Sequence, residues 1–297
     1  MKNQSKLKIF GLLTFLLIGF ISLNSCSTED IEVFEEEISI EDNIKSNVNA
    51  QAKCQNPYAW LQSKYGNSNV NWKLQYPSGS SAKTAYRYKS TYLKDVSSSR
   101  FSMVGSSCNR LRFRVDGNDP TSGNSPNPRC ELRERTKKKF GSNSDKDAGW
   151  KTSRSDFKEL IFKAKVTAAP SSSGSSLVIA QLHSGGNGGS DTAVIKVKKS
   201  SGKFKLLLTG GGISGDVTLD SDYKVNNEIF TITLRVWNNK VRVKYNGNWK
   251  NNGKSIASSY RTSTSYFKAG AYILSANSNE EGKVEFYDVK LNKYENY

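Results

Sequence analysis

An all-β fold of antiparallel strands is what this sequence predicts, on three observations. Strand-like runs of about four to ten residues recur from Trp72 to the C-terminus, separated by clusters of Gly, Ser and Asn. No long amphipathic helix interrupts them, so the βαβ spacing of a parallel sheet is missing. One hairpin is explicit: Phe230, Ile232, Leu234 and Val236 alternate with Thr231, Thr233, Arg235 and Trp237, and a turn near Asn238-Asn239 leads into Val241 to Tyr245. Such a chain closes as a sandwich, barrel or β-jelly roll. The jelly roll is expected here, with one concave face.

Along the chain, Lys2, Lys6 and Lys8 precede the apolar run Ile9 to Leu23, which reads over residues 1–25 as an export signal, too short for a membrane span. Its end, Leu23-Asn24-Ser25-Cys26, resembles a bacterial lipoprotein signal with Cys26 as the lipid-bearing terminus. The protein is therefore expected at the cell surface, as an outer-membrane lipoprotein, or secreted, touching membrane only through that anchor. Residues 26–53 are acidic without apolar periodicity and read as a disordered tether. Residues 54–297 are expected to form one folded domain and a monomer.

Within that domain a short helix or turn is expected between Cys54 and Tyr65. Strands are expected at Trp72 to Tyr76, Leu111 to Val115, Arg129 to Arg135, Leu160 to Val166, Leu177 to His183 and Ala193 to Lys198. They continue at Phe204 to Thr209, Ile229 to Trp237, Val241 to Tyr245, Tyr266 to Ile273 and Val284 to Leu291. Gly185 to Gly189 and Gly210 to Gly212 lack the Gly-Lys-Ser/Thr ending of a phosphate loop and read as mobile loops at the groove, placed to act as lids. Cys54, Cys108 and Cys130 give one disulfide and one leftover thiol, with the pairing open.

The chain's formal charge is +17; three lysines lie in the signal and the tether carries −6, which leaves +20 on residues 54–297. A surface of one sign that strong draws a polyanion. Nucleic acid is not the expected partner of an exported chain, so an acidic polysaccharide takes its place.

Three stretches set polar groups on one strand face. Arg129, Glu131, Arg133 and Arg135 alternate with Cys130 and Leu132. Gln181 and His183 alternate with Val178, Ala180 and Leu182. Tyr266, Lys268 and Tyr272 oppose Phe267, Ala269, Ala271 and Ile273. Unpaired charge is too costly to bury, so such a face looks into water, a cleft or a network of mutual pairs.

These stretches, Arg129-Cys130-Glu131-Leu132-Arg133, Gln181-Leu182-His183 and Tyr266-Phe267-Lys268-Ala269-Gly270-Ala271-Tyr272, resemble in order and separation the three signatures of the alginate lyases of polysaccharide lyase family 7 and their jelly-roll relatives. The resemblance spans roughly Leu111 to the C-terminus. It implies an endo-acting polysaccharide lyase that cuts a uronate polymer by β-elimination. Arg129, Gln181 and His183 would surround the substrate carboxylate and Tyr272 would transfer protons. Arg133, Lys268, Glu131, Arg135 and Tyr266 would line or structure the groove.

The chemistry needs those residue types. The C5 proton of a uronate is too weakly acidic to leave unless fixed donors neutralise the neighbouring carboxylate and hold the developing charge. A base must reach C5 and an acid the departing O4. Nearby cations are expected to favour the ionised phenol of Tyr272. In a syn elimination Tyr272 would serve as both base and acid; in an anti elimination His183 would be the base.

One histidine and cysteines without zinc spacing argue against a metal, no cofactor is implied, and nothing in the sequence supports a structural calcium. A glycoside hydrolase would need two carboxylates across the bond, and the polar faces offer only Glu131. A noncatalytic carbohydrate-binding module would not need the Arg, Gln, His and Tyr set. Alginate lyases commonly continue Tyr-Asn-Gln where this chain has Tyr272-Ile273-Leu274. That difference shifts the expected polymer slightly to ulvan over alginate, with glucuronan behind both.

Overall fold

The computed structural model describes residues 54–65, 72–85, 93–96, 98–121, 125–136, 146–185, 191–262, 264–274, 277 and 279–293. The export signal, Cys26, the acidic tether and residues 186–189 of the first glycine loop lie outside them.

Helix α1 (Pro57–Tyr65) is followed by strands β1 (Trp72–Ser78), β2 (Ser81–Ala85), β3 (Phe101–Val104), β4 (Arg110–Asp116), β5 (Arg129–Thr136) and β6 (Lys146–Asp147). Next come β7 (Lys158–Ala168), β8 (Ser176–His183), β9 (Asp191–Ser200), β10 (Lys203–Thr209), β11 (Val217–Tyr223) and β12 (Phe230–Trp237). The last are β13 (Lys240–Tyr245), β14 (Asn248–Trp249), β15 (Lys254–Ser255), β16 (Tyr266–Leu274) and β17 (Glu281–Lys293). A nine-stranded sheet runs β11-β10-β9-β8-β16-β5-β1-β2, with β6 on β5. An eight-stranded sheet runs β14-β13-β12-β7-β17-β4-β3, with β15 on β13. Every pairing is antiparallel, and the two sheets make a jelly roll.

Period-two burial makes the core. In β4, Leu111, Phe113 and Val115 are buried while Arg110, Arg112 and Arg114 are only partly covered; β12 repeats this with Phe230, Ile232, Leu234 and Val236. Phe113 and Phe162 both meet Phe286, at ring distances of 5.4 Å. Leu177 and Ile273 of the nine-stranded sheet close on Gly282 of the other, so the two inner faces are in direct contact. Helix α1 starts where Asn56 accepts the Ala59 amide at 2.7 Å, with Pro57 as its first residue, and buries Trp60 and Leu61.

All eleven expected strands are present, with ends that differ by no more than three residues. The Asn238-Asn239 turn has φ of 44° and 55°, which matches the right-handed twist of a two-residue hairpin. Six strands escape sequence reading: β2, β3, β6, β11, β14 and β15. All six lie at a sheet edge or branch from its main path, where strands are short or carry charge and little alternation is needed.

Cys54 pairs with Cys108, which leaves Cys130 as a free thiol buried on the core side of β5. The bridge closes 54 residues of sequence and ties the start of α1 to the β3–β4 turn. In the chain-entropy view its removal by Cys108→Ala is expected to cost up to about 4 kcal/mol. Thermal unfolding of the variant checks this; an unchanged midpoint would mean that the bridge constrains nothing in the unfolded chain.

Candidate active site

The charged strand β5 occupies the middle of the nine-stranded sheet, with β16 on one side and β1 on the other. Its inner face carries Cys130 and Leu132 into the core, joined by Glu134, whose carboxylate accepts the Trp150 indole N–H at 3.1 Å and the Phe267 amide at 2.9 Å. Its outer face carries the four ionic residues. Register sets Arg129 opposite Tyr272, Glu131 opposite Gly270 and Arg133 opposite Lys268. On the far side of β16, Lys268 stands opposite Gln181 and Tyr266 opposite His183. The three polar faces therefore form one surface.

Most of that surface is a network of mutual pairs. Glu131 is fully buried; Gln181 Nε2 donates to one of its oxygens, and Arg129 Nη1 and Lys268 Nζ each stand 3.7 Å from the other. Arg129 also donates to Ser125 Oγ and lies over the Tyr272 ring, with Cζ 4.3 Å from its centre. Tyr272 Oη accepts from Asn127 Nδ2 at 3.5 Å. Tyr266 stacks on His183 at 4.9 Å and carries the Arg133 guanidinium over its ring at 3.9 Å. Arg129 Nε, Gln181 Oε1 and His183 Nδ1 are buried with no hydrogen-bond partner among the described residues, as expected of groups that await a polar ligand.

Electrostatics follow from this crowding. Burial pushes the His183 imidazole down to about 3, and the Lys268, Arg133 and Arg129 cations push the same way. Burial likewise lowers Lys268 to about 8 against the pull of Glu131. Asp191 is raised by burial and by Glu131, and its carboxylate lies 4.0 Å from His183 Nε2. At neutral pH the site thus holds a neutral imidazole beside cationic Lys268.

The structure gathers Arg129, Gln181, His183, Lys268, Arg133, Tyr266 and Tyr272 on one surface, keeps Glu131 beneath them and sets Arg135 apart. Glu131 is fully buried against Arg129, Lys268 and Gln181, so its part is to hold them in place. Arg135 is six residues from Arg129, about 20 Å along an extended strand, and pairs in register with Asp147 of β6.

One face assignment is corrected. Val178 does not share the core with Ala180 and Leu182, because register shifts between Val178 and Ala180 and between Ala269 and Tyr272 put a bulge there. Val178 instead packs with Val194 and Tyr272, while Ile179 and Ala180 both enter the core. Gly210 to Gly212 are not lids either. Gly211 and Gly212 donate to the carbonyls of Asp191 and Thr192 at 3.1 and 3.0 Å, so they pin the start of β9 beside His183.

Asn127, Ser125 and Asp191 were not singled out by sequence reasoning. Asn127 lies within the first motif's lead-in, two residues before Arg129, and that proximity was the available signal. Asp191 had none, since it reaches His183 only through the β8–β9 pairing. Among the described residues no three of His, Cys, Asp and Glu gather as a metal-holding group.

Two predictions follow from this geometry. Gly270 has φ +150°, and a Cβ there would stand 2.4 Å from the Cys130 carbonyl oxygen. Gly270→Ala is expected to cost about 1–3 kcal/mol in backbone strain alone and to lower turnover by displacing β16 from β5. Thermal unfolding and kcat measure both, and a variant equal to wild type would remove the close approach as a constraint.

The second concerns pH. Between pH 6.5 and about 3 the unfolded chain takes up a proton that folded His183 refuses, so this group lowers stability as pH falls through that window. Folded Lys268 carries its full cost below about 8, and the cost eases as pH rises from there toward 10.5. In kcat/KM, which follows the free enzyme, no acid limb is expected near 6.5, and an alkaline fall is expected near pH 8 that Lys268→Arg moves upward. An acid limb near 6.5 would contradict a neutral His183.

The family profile described as alginate lyase matches residues 69–293. Among solved structures, the alginate lyase from Corynebacterium sp. is 28% identical, with a TM-score of 0.60 over 75% of this chain and 93% of that one. Alginate lyase AlgAT5 from polysaccharide lyase family 7 is 25% identical, with a TM-score of 0.60 over 75% and 94%. Alginate lyase PA1167 from Pseudomonas aeruginosa, at 23% identity and a TM-score of 0.60 over 75% and 97%, shares the fold. No curated protein matches the chain. The jelly roll and the profile match over most of the sequence together make this chain a member of the alginate lyase family and a polysaccharide lyase.

Proposed function

We propose that the enzyme is an endo-acting alginate lyase in which Arg129 and Gln181 hold the uronate carboxylate and His183 and Tyr272 move the protons. The observation that carries this reading is the position of Arg129. Its guanidinium lies over Tyr272, stands beside Glu131 and acts on His183, so a carboxylate bound there meets both proton-transfer groups. The Corynebacterium enzyme and AlgAT5 are both alginate lyases, which favours alginate over ulvan. The sequence argument for ulvan also loses force: Ile273 is fully buried on the core side and does not face the groove, and Leu274 packs beside Tyr272 against Val178 and Val194.

In the reaction the C5–H bond breaks, its electron pair forms C4=C5, and the C4–O4 pair leaves on O4, which takes a proton. Arg129, with the Gln181 amide and the Lys268 and Arg133 cations behind it, stabilises the charge that spreads into the carboxylate as C5 loses its proton. Tyr272 accepts its hydrogen bond from Asn127, so its own O–H is free to donate to O4. His183 is neutral and able to take the C5 proton when C5–H and O4 lie on opposite faces of the ring. When they lie on one face, Tyr272 serves both steps: its oxygen takes the C5 proton and a proton passes from it to O4, with Asn127 donating to that oxygen.

The test is ultraviolet absorbance of the new double bond with alginate, ulvan and glucuronan offered separately. Absorbance is expected to rise with alginate. Tyr272→Phe is expected to lower the rate by about 10²–10⁴, with polymer binding retained, and His183→Ala to slow cleavage of the polymer that needs the opposite-face route. A rise only with ulvan would overturn the substrate, and full activity in Tyr272→Phe would overturn the proton-transfer role.

A further inference from the structure

Trp249, on the short edge strand β14 of the eight-stranded sheet, is surrounded by cations. The guanidinium carbons of Arg242 and Arg235 lie 4.2 and 4.9 Å from its ring centre, and Lys244 Nζ lies 5.2 Å away. All three belong to the outer face of β12 and β13, whose inner face carries Ile232, Leu234, Val241 and Val243 into the core. Register sets Arg235 directly opposite Arg242, a like-charge cross-strand pair that weakens a sheet unless something offsets it.

The offsets are unequal. Arg235 has its own carboxylate, Glu159, at 2.6 Å, and a second ring, Phe157, at 4.2 Å. Among the described residues Arg242 donates only to the neutral carbonyl of Asn251, at 2.8 Å. Among the described residues neither Arg242 nor Lys244 meets a carboxylate. The Trp249 ring attracts cations through its quadrupole and so aligns them, without cancelling their charge. The result is a fixed, half-buried pair of positive groups, side by side at a sheet edge, on the sheet that does not carry Arg129 and His183.

We propose that Arg242 and Lys244, aligned by Trp249 with Arg235 alongside, form a second, noncatalytic binding site for the uronate polymer. This rests on the reading of the substrate as a uronate chain, which carries a carboxylate on each such sugar. The site takes two of those carboxylates, one on the Arg242 fork and one on Lys244. Trp249 serves as the plate that holds the cations, since its ring is already covered by them. A polymer long enough to reach both sheets would be retained here while another stretch is cut.

The test uses the full chain, with polymer binding and cleavage read separately. Binding to alginate and to ulvan is measured for Arg242→Glu/Lys244→Glu, for Trp249→Ala and for the charge-matched control Lys64→Glu/Lys290→Glu, all in a Tyr272→Phe background. Cleavage of a uronate tetrasaccharide, too short to span both sites, is measured with Tyr272 intact. Both Arg242→Glu/Lys244→Glu and Trp249→Ala are expected to weaken polymer binding about tenfold or more beyond the control, and to cut the tetrasaccharide at the wild-type rate. Trp249→Ala is decisive, because it leaves the net charge unchanged. Affinity within about twofold of the control in both variants would overturn the second site, whatever the wild type cuts. Selective loss of binding, with neither polymer cut by the wild type, would uphold the second site and overturn the substrate reading instead.

Discussion

The carboxylate of Glu131 is what allows so many cations to share one face of a sheet. It has no exposed surface, and within 4 Å of its oxygens stand an arginine, a lysine and an amide donor. The two cations, on neighbouring strands, would otherwise repel one another across a distance too short for water to screen. Removing one partner of such a buried pair costs about 3–5 kcal/mol, because the others are left uncompensated. The anion is as structural as any residue of the core, though it lies on the opposite side of β5 from Leu132.

Glu131 also sets what the site can do. Two carboxylates, Glu131 and Asp191, among Arg129, Arg133 and Lys268 still leave the network with a positive balance, and that balance combines with burial to keep His183 neutral. A neutral imidazole can accept a proton, whereas a protonated one cannot. The same excess suits a substrate that brings its own carboxylate. Before binding, the Arg129 Nε donor lacks a partner among the described residues, so the site is organised for an acceptor the protein does not supply. This is electrostatic preorganisation: the donors are fixed by β5, β8 and β16 before charge develops.

The sequence made the interior of each sheet legible and its margins illegible, for a physical reason. Interior strands must bury one face, so Leu111, Phe113 and Val115, or Phe230 to Val236, spell out their period. Edge strands such as Val217–Tyr223, with Asp220 and Asp222, resist further pairing by being polar, and the same polarity hides them among turns. The site face was legible through alternation and motif, since ionic residues at period two cannot be core. Alternation failed at Val178, where a bulge shifts the register, and it could not reveal Asp191, which is brought to His183 by pairing between strands. Nor could it separate Glu131, wholly inside, from Arg129, which keeps part of its surface in water; both were simply charged residues on one face.

The large positive charge of the folded domain serves two purposes that burial separates. Cations sealed against Glu131 act over a few ångströms in a medium that salt penetrates poorly, so they govern the chemistry and contribute little to encounter. Cations on strand faces such as Lys163, Lys244 and Lys290 act through water over a range of about 8 Å at physiological ionic strength, and they govern how often a polyanion arrives. A protein that met its polymer only through the catalytic face would have little use for arginines placed opposite each other on the far sheet. Arg235 and Arg242 stand in that costly arrangement, and a tryptophan is placed to maintain it. The two faces of this jelly roll are therefore organised by one requirement, the binding of a chain that repeats its negative charge.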